Sequence, residues 1–415
     1  MVSATIDHLV ATTVLIVAFT LSMGLFSQIM QNALLYQFHM HLATKCSDTL
    51  DNILLSFGDM PGVFGLGDYN LEPYTLDPML VMKLLSESGP LIEFPPGSGI
   101  KYSNITVGLG GYLLVPVSEC IDYETAQELL GLKGLYGFRL SLHPLVNVTF
   151  SEKQEAPDGT SLSFKVSVTG FSSPIEDANV TCNLLYVIGV NNEIPNVRKC
   201  NQPLSKKTDA NGEAYFTFSR NNDQYLNVSL GYVVIASVKF ANFHCVGYTY
   251  KNARTSAGHV IPFIESMRNG SLLLVHPYPV RITDNMASLH YNATYYAIND
   301  ELNLDDGRVL SVGLVNYASG RRGKFFNRTQ IPSECLGGPG ILVVFCYKDD
   351  TNEYGVAIMP WMVQSLSFSV EFGGNPSGWE WVATDVRHVL IGGVPYTAKL
   401  ALWSLMGYQV TMYGW

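Results

Sequence analysis

The sequence predicts a mainly β protein carried on one long N-terminal helix: a transmembrane and amphipathic helix, then a β-sandwich and a further β-rich region with short helices. Three observations predict it. From Leu9 to Phe26 no side chain is charged, a run of about 18 residues that suffices to cross the roughly 30 Å hydrocarbon core of a bilayer as a helix. Beyond Phe26, apolar residues keep recurring at helical spacing. After residue 58 the chain breaks into short runs rich in Val, Phe, Tyr and Thr, separated by turn residues.

The helix is expected over residues 1–57. Leu35, Phe38, Leu42, Cys46, Leu50 and Ile53 fall three and four apart, with Gln37, His41, Lys45, Asp48 and Asp51 on other faces, which is the pattern of an amphipathic helix that packs one stripe on protein. No Pro or Gly interrupts residues 25–57, and Gly58 then Pro61 supply the stop. Such a helix is about 75 Å long at 1.5 Å per residue. A cleaved secretory signal is the alternative, but the run lacks a basic leader and a small-x-small cleavage site, and its periodicity continues past the apolar part. An uncleaved single-pass anchor fits better.

A chain of 415 residues exceeds one ordinary core, so two or three domains are expected beyond the anchor. Charged residues are 14% and aromatics 12%, with 23 Tyr, against a usual charged share of roughly 25%. That balance suits an extracellular β-rich protein. The net charge of −10 argues against nucleic acid as a partner, which would need a basic patch. Asn-x-Ser/Thr sites at Asn104, Asn147, Asn179, Asn227, Asn269, Asn292 and Asn327 all follow the anchor, so covalent glycans on an extracellular C-terminal ectodomain are expected. The location expected is the cell membrane or cell surface.

Among seven cysteines, Cys46 sits on the packed stripe and reads as a small buried hydrophobe. Cys182 with Cys200, and Cys335 with Cys346, each bracket a turn-rich loop between strand-like runs, which suggests two disulfides and leaves Cys120 and Cys245 as a further pair.

Residues 58–144 read as a membrane-proximal α+β segment: a Gly- and Pro-rich loop, a short helix at LDPMLVMKLLSES with Asp77 as cap and Pro78 in its first turn, strands at KYSNITVGL and GYLLVPVSE, a helix at DYETAQELLGL and a strand at YGFRLSLHPL. Residues 145–250 contain VNVTFSE, SLSFKVSVTGF, NVTCNLLYVIG, GEAYFTFSR and YVVIASVKF, with turns at Pro157-Asp158-Gly159 and Asn211-Gly212, the spacing of a β-sandwich of about 100 residues. Residues 251–415 are again β-like and end in a hairpin about Gly392-Gly393. They form either a separate C-terminal domain or one domain with 58–144, interrupted by the sandwich.

The strand Ala178–Thr181, followed by Thr208, Asp209, Gly212, Ala214 and Phe216, resembles the bacterial and archaeal surface Ig-like domains of the invasin and carboxypeptidase-regulatory kind. The resemblance implies a spacer or binding module rather than a catalyst. Asp209, Asn211 and Gly212 also have a mechanical reading, the closing of a tight hairpin.

Searches for chemistry find no nucleophile elbow, phosphate loop, HExxH or dinucleotide fingerprint, and neither an enzyme nor a cofactor is expected. His39 and His41 lie two apart on a helix and point about 200° from each other, too far to share a metal. Asn299, Glu301, Asn303 and Asp305 alternate oxygen ligands that could cradle calcium, although the glycine and the distal acid of an EF-hand are misplaced, so a solvated turn is the simpler reading.

Asp7 stands at the edge of the apolar run, where a carboxylate either meets headgroups or finds a partner. A short leader, an unbroken apolar stretch and a continuing amphipathic half over about residues 1–57 resemble the N-terminal helix of type IV pilins and their archaeal relatives. That resemblance implies filaments whose cores are bundled helices, with an acidic residue near the mature N-terminus meeting a neighbour's amine; with Ser3 first, Asp7 would take that place. Only Met1-Val2 precede Ser3, without the Lys, Arg and Gly usual before such a cut. The expected role is a surface structural or adhesive glycoprotein, with membrane lipid and copies of itself or other surface proteins as partners, assembling through Asp7, Leu35, Phe38, Leu42, Leu50 and Ile53. A monomeric anchored ectodomain binding a sugar, a peptide or a surface-layer partner is the alternative, and a surface hydrolase the third.

Overall fold

The computed structural model describes every residue except 1, 59–62, 69–71, 85–91, 94–97, 108–110, 117–119, 171–172, 189–195, 230, 242, 252–260, 267–268, 277–288, 299–303, 305, 315, 318–324, 337–339, 349–352, 362–368, 380 and 406–415. The fold is mainly β, with one long N-terminal apolar helix. That helix runs unbroken over Val2–Leu55 and ends three residues before Gly58.

The C-terminal half of the helix lies on a five-stranded sheet, in the order Thr75–Leu76, Val382–Ile391, Val394–Ser404, Tyr136–Pro144, Val370–Gly373. We call it the dock sheet. Its three long strands are antiparallel, and Thr75–Leu76 adds a short parallel edge. The Val382–Ile391 and Val394–Ser404 strands are joined by Gly392-Gly393, with φ of 57° and 80°. Positive φ at both central residues is what a type I′ hairpin turn requires and what two glycines adopt without strain.

Tyr136–Pro144 leads straight into a β-sandwich. One of its sheets holds Glu213–Ser219, Ser161–Gly170 and Val146–Glu155; the other holds Asn196–Lys199, Asn179–Ile188, Tyr232–Phe240 and Phe243–Lys251. Alternate residues face inward, so Leu162, Phe164, Val166, Val180, Leu184, Phe216, Phe218 and Val234 fill the space between the sheets. The turn at Pro157-Asp158-Gly159 closes the pair Val146–Glu155 and Ser161–Gly170. The tight hairpin expected at Asn211-Gly212 is instead a crossing from one sheet to the other, because Leu204–Lys207 pairs with Asn179–Ile188 while Glu213–Ser219 pairs with Ser161–Gly170. Thr160 N donates to Asp158 Oδ1 at 3.1 Å beside Gly159, and Asp209 Oδ1 accepts from Asn211 N and Glu213 N, each at 2.9 Å, beside Gly212.

The remaining strands form a seven-stranded and a four-stranded sheet. The seven-stranded sheet joins early to late sequence, because Gly111–Pro116 pairs in parallel with Ile261–Ser266. The dock sheet does the same through Tyr136–Pro144 and Val394–Ser404. Residues on either side of the sandwich therefore share two sheets. The short helices form at Pro78–Lys83 and Tyr123–Leu129, capped by Asp77 and Asp122 through Met79 N and Thr125 N.

The expected disulfide between Cys182 and Cys200 is not formed, and both are buried thiols. Cys182 is paired across strands with Leu204, whereas Cys200 N donates to Leu184 O. The two are diagonal neighbours, at which Cα atoms stand roughly 7–8 Å apart, beyond the usual span of a disulfide. Cys245 is likewise a buried thiol. Cys335 is buried within the turn Ser333–Cys335. Cys346, whose side chain lies outside the described residues, is paired through its backbone with Tyr291.

Candidate functional site: the long helix and its dock

The helix divides into two halves by its surroundings. From Ile6 to Leu34 every apolar side chain faces outward on all sides of the helix, including Leu9, Val14, Phe19, Leu25 and Ile29. From Leu35 onward one stripe turns inward. Leu42, Cys46, Leu50 and Ile53 are buried, Leu35 and Phe38 are half-buried, and Thr49 and Leu54 join the buried set. The spacing of three and four put these residues on one side of the helix, and the dock sheet covers that side.

Three contacts fix the register of helix on sheet. At the lower end the His39 ring lies 4.1 Å from the Trp381 ring. In the middle the Cys46 thiol donates weakly toward Ala383 O at 3.7 Å and Leu400 O at 3.6 Å. At the upper end Arg387 grips Asp51 with two prongs, Nε to Oδ1 at 2.9 Å and Nη2 to Oδ2 at 3.2 Å. The same guanidinium donates to Ser47 Oγ at 2.9 Å and to Asp385 Oδ1 at 2.7 Å. Burial pushes the Asp385 carboxyl up, but hydrogen bonds from Ser47, Val386 N and Arg387 outweigh it and hold it below the usual range. The bond to Val386 N, at 2.8 Å, also occupies an outward backbone donor on the strand nearest the sheet edge, which discourages pairing with another chain there.

The opposite face of the dock sheet carries a polar cluster that sequence reasoning missed. Glu371 accepts from Arg139 Nε at 2.7 Å and Ser141 Oγ at 2.8 Å, and its Oε1 lies 3.1 Å from His143 Nε2. His143 Nδ1 is 3.0 Å from Ser369 Oγ. A Ser–His–carboxylate chain invites a catalytic reading. Here, however, it lies half exposed on an open sheet face, where a developing charge is stabilised weakly, and Arg139 already engages the carboxylate. Glu371 is raised by burial but lowered more by Arg139, Ser141 and the nearby His143, and sits below the usual range. The arrangement cross-links Tyr136–Pro144 to Val370–Gly373.

Other residues singled out from the sequence are scattered. Asp7 faces outward on the exposed half of the helix. His41 faces outward while His39 packs on Trp381. Asn147, Asn179 and Asn269 are exposed, and Asn227 and Asn327 are partly so. Asn292 is 5% exposed, so a glycan there would have to displace the packing about it. The side chain of Asn104 and the suggested calcium ligands Asn299, Glu301, Asn303 and Asp305 lie outside the described residues.

No known protein family matches the chain, and no curated protein does. Among solved structures, MtrC from Shewanella baltica OS185 is similar at 7% identity, with 56% of this chain and 70% of that chain covered at a TM-score of 0.20. A likeness that slight carries no argument. What stands is geometric: the N-terminal helix is long and apolar enough to span a membrane, and its second half is held by the protein's own β-sheet.

Proposed function

We propose that the protein is a membrane-anchored, cell-surface structural or adhesive glycoprotein whose ectodomain is carried by the long helix, and that the helix assembles like a pilin's into a filament. The observation that carries this reading is the contrast between the two halves of one helix. Val14, Phe19, Leu25 and their neighbours are exposed on every side, an apolar area far larger than soluble monomers leave uncovered. Lipid or other helices must take it up. The second half already has its partner, so it serves as a rigid lever that fixes the ectodomain to whatever holds the first half.

The glycoprotein part rests on the exposed sequons, and the archaeal-type, pilin-like part on the helix pattern. Electron microscopy of cell-surface material tests the assembly: filaments with a helical repeat and these helices at the core are expected. A full-length chain that stays monomeric in water without detergent would overturn it.

A second reading, an anchored binding ectodomain, is favoured by one cavity of about 580 Å³ between the dock sheet and the sandwich. Tyr74, Ile175, Phe240, Phe243, Leu390 and Pro395 make it largely apolar, with Glu72 and His388 as polar groups at its wall. Chemical-shift or melting changes on adding small apolar ligands would support that role.

A further inference from the structure

One end of the dock sheet is unlike the other. At the end where Tyr136–Pro144 begins, Val394–Ser404 finishes and Val382–Ile391 starts, large apolar side chains stand out of the protein. Leu135 is 43% exposed, Trp379 39%, Trp381 40% and Leu405 38%. They line one end of the sheet as a rim. Leu405 N donates to Leu135 O at 2.9 Å, Trp379 stacks on Trp403 with ring centroids 6.4 Å apart, and Trp381 meets His39 of the helix. The sandwich leaves from the opposite end, where Pro144 runs into Val146.

The exposed half of the helix projects from this rim, and its length sets where the rim sits. No Asp, Glu, Lys or Arg occurs between Asp7 and Lys45. From Asp7 to His39, the residue level with Trp381, is about 48 Å along a helix axis. A bilayer with its headgroups measures roughly 40–45 Å. With Asp7 at the inner boundary, the rim therefore arrives at the outer headgroup layer. Tryptophan is the side chain best suited to that layer, because its ring is apolar while its N–H still finds a polar partner.

We infer that the Trp379–Trp381–Leu405–Leu135 rim is a seat on the lipid surface: the ectodomain rests on the outer interface of the same bilayer that its helix crosses. The inference builds on the anchor reading and adds a contact that an anchor alone does not need. Two points of attachment, a span and a seat, would hold the sandwich pointing away from the membrane rather than tumbling about the helix.

The test uses the full chain in nanodiscs of phosphatidylcholine and phosphatidylglycerol, one copy per disc, with lipids brominated near the top of the acyl chain as the quencher. Trp361 is fully buried and serves as an internal reference. The emission of the whole chain is expected to fall in brominated discs, because rings at the interface lie beside the bromines, and the Trp379→Phe, Trp381→Phe double variant is expected to lose most of that fall while inserting as well as the parent. Equal quenching in parent and double variant, with both inserted, overturns the seat and leaves the anchor standing. Failure of the chain to enter discs overturns both. Shielding from aqueous iodide that appears only with several copies per disc overturns the lipid seat in favour of a second copy on the rim.

Discussion

Arg387 and Asp51 are 336 residues apart in sequence and meet in a two-pronged bridge, Nε to Oδ1 at 2.9 Å and Nη2 to Oδ2 at 3.2 Å. The bridge joins the edge of the dock sheet to the last turns of the long helix, so it tests how firmly the lever is held. Both side chains remain partly exposed, which limits the bridge to roughly 1–2 kcal/mol. Arg387→Ala and Asp51→Asn should each lower the melting temperature in detergent, and the double variant should cost less than the sum. Strict additivity in that cycle would show that the pair does not couple helix to sheet.

The two halves of the helix should answer differently to the same substitution. Leu50 is completely buried, whereas Leu21 is exposed. Leu50→Ala should destabilise the β-rich part of the chain by about 2–5 kcal/mol through the cavity it leaves. Leu21→Ala should change the stability of the β-rich part by no more than about 0.5 kcal/mol, with any effect falling on how the exposed half of the helix is held. Denaturant melts followed by near-ultraviolet circular dichroism distinguish the two, and similar losses for both would contradict the division of the helix.

How legible this was in the sequence depends on the range of the interaction. Leu35, Phe38, Leu42, Cys46, Leu50 and Ile53 announce themselves because helical periodicity is local, and Pro157-Asp158-Gly159, Asn211-Gly212 and Gly392-Gly393 do so because turn chemistry is local. Arg387 reads as an ordinary surface cation until the fold brings Asp51, Ser47 and Asp385 to it. The same limit explains the disulfide. Cys182 and Cys200 bracket a loop, but cross-strand register decides whether two thiols face each other, and the register opposes Leu184 to Cys200. The Glu371 cluster and the Trp rim join residues from both ends of the chain, and no spacing rule reaches that far.

Acid should weaken the protein before it affects anything else. Asp385 and Glu371 are both held below their ordinary values of 3.8 and 4.5. A carboxyl whose folded value is depressed contributes stability that is fully present above the ordinary value and is lost as pH falls through the folded one. The melting temperature should therefore be level with respect to these groups above about pH 5 and fall below about pH 4. Glu371→Gln should flatten part of that fall, and an unchanged acid limb in both Glu371→Gln and Asp385→Asn would refute the assignment.

The thiols supply a chemical test of the sandwich. Cys182, Cys200 and Cys245 are buried and unbridged, and burial pushes the Cys245 thiol up to about 12 and raises the other two. Thiolate, the reactive form, is scarce at neutral pH in such sites. Maleimide should leave them unmodified in the native protein and label them after denaturation without reductant. A melting temperature that drops several degrees on adding dithiothreitol would mean a structural disulfide instead.

Gly137 ties the dock sheet to its Trp rim. A Cβ at this position would come within 2.3 Å of Trp403 Nε1 and 2.4 Å of its Cε2, so the indole lies flat on bare backbone, with Trp379 stacked beyond it. The ring is nearly buried and wedged beside Gly374, and it cannot retreat without moving that backbone. Gly137→Ala should therefore cost about 1–3 kcal/mol by overpacking, with a shift in tryptophan emission as Trp403 is driven outward. Gly131→Ala is the matched control, because Gly131 has open space around its Cβ position and its positive φ of 64° adds only backbone strain of about 1 kcal/mol. If Gly137→Ala melts like the parent with unchanged emission, the Trp403 ring does not rest on Gly137, and the support beneath the rim must lie elsewhere.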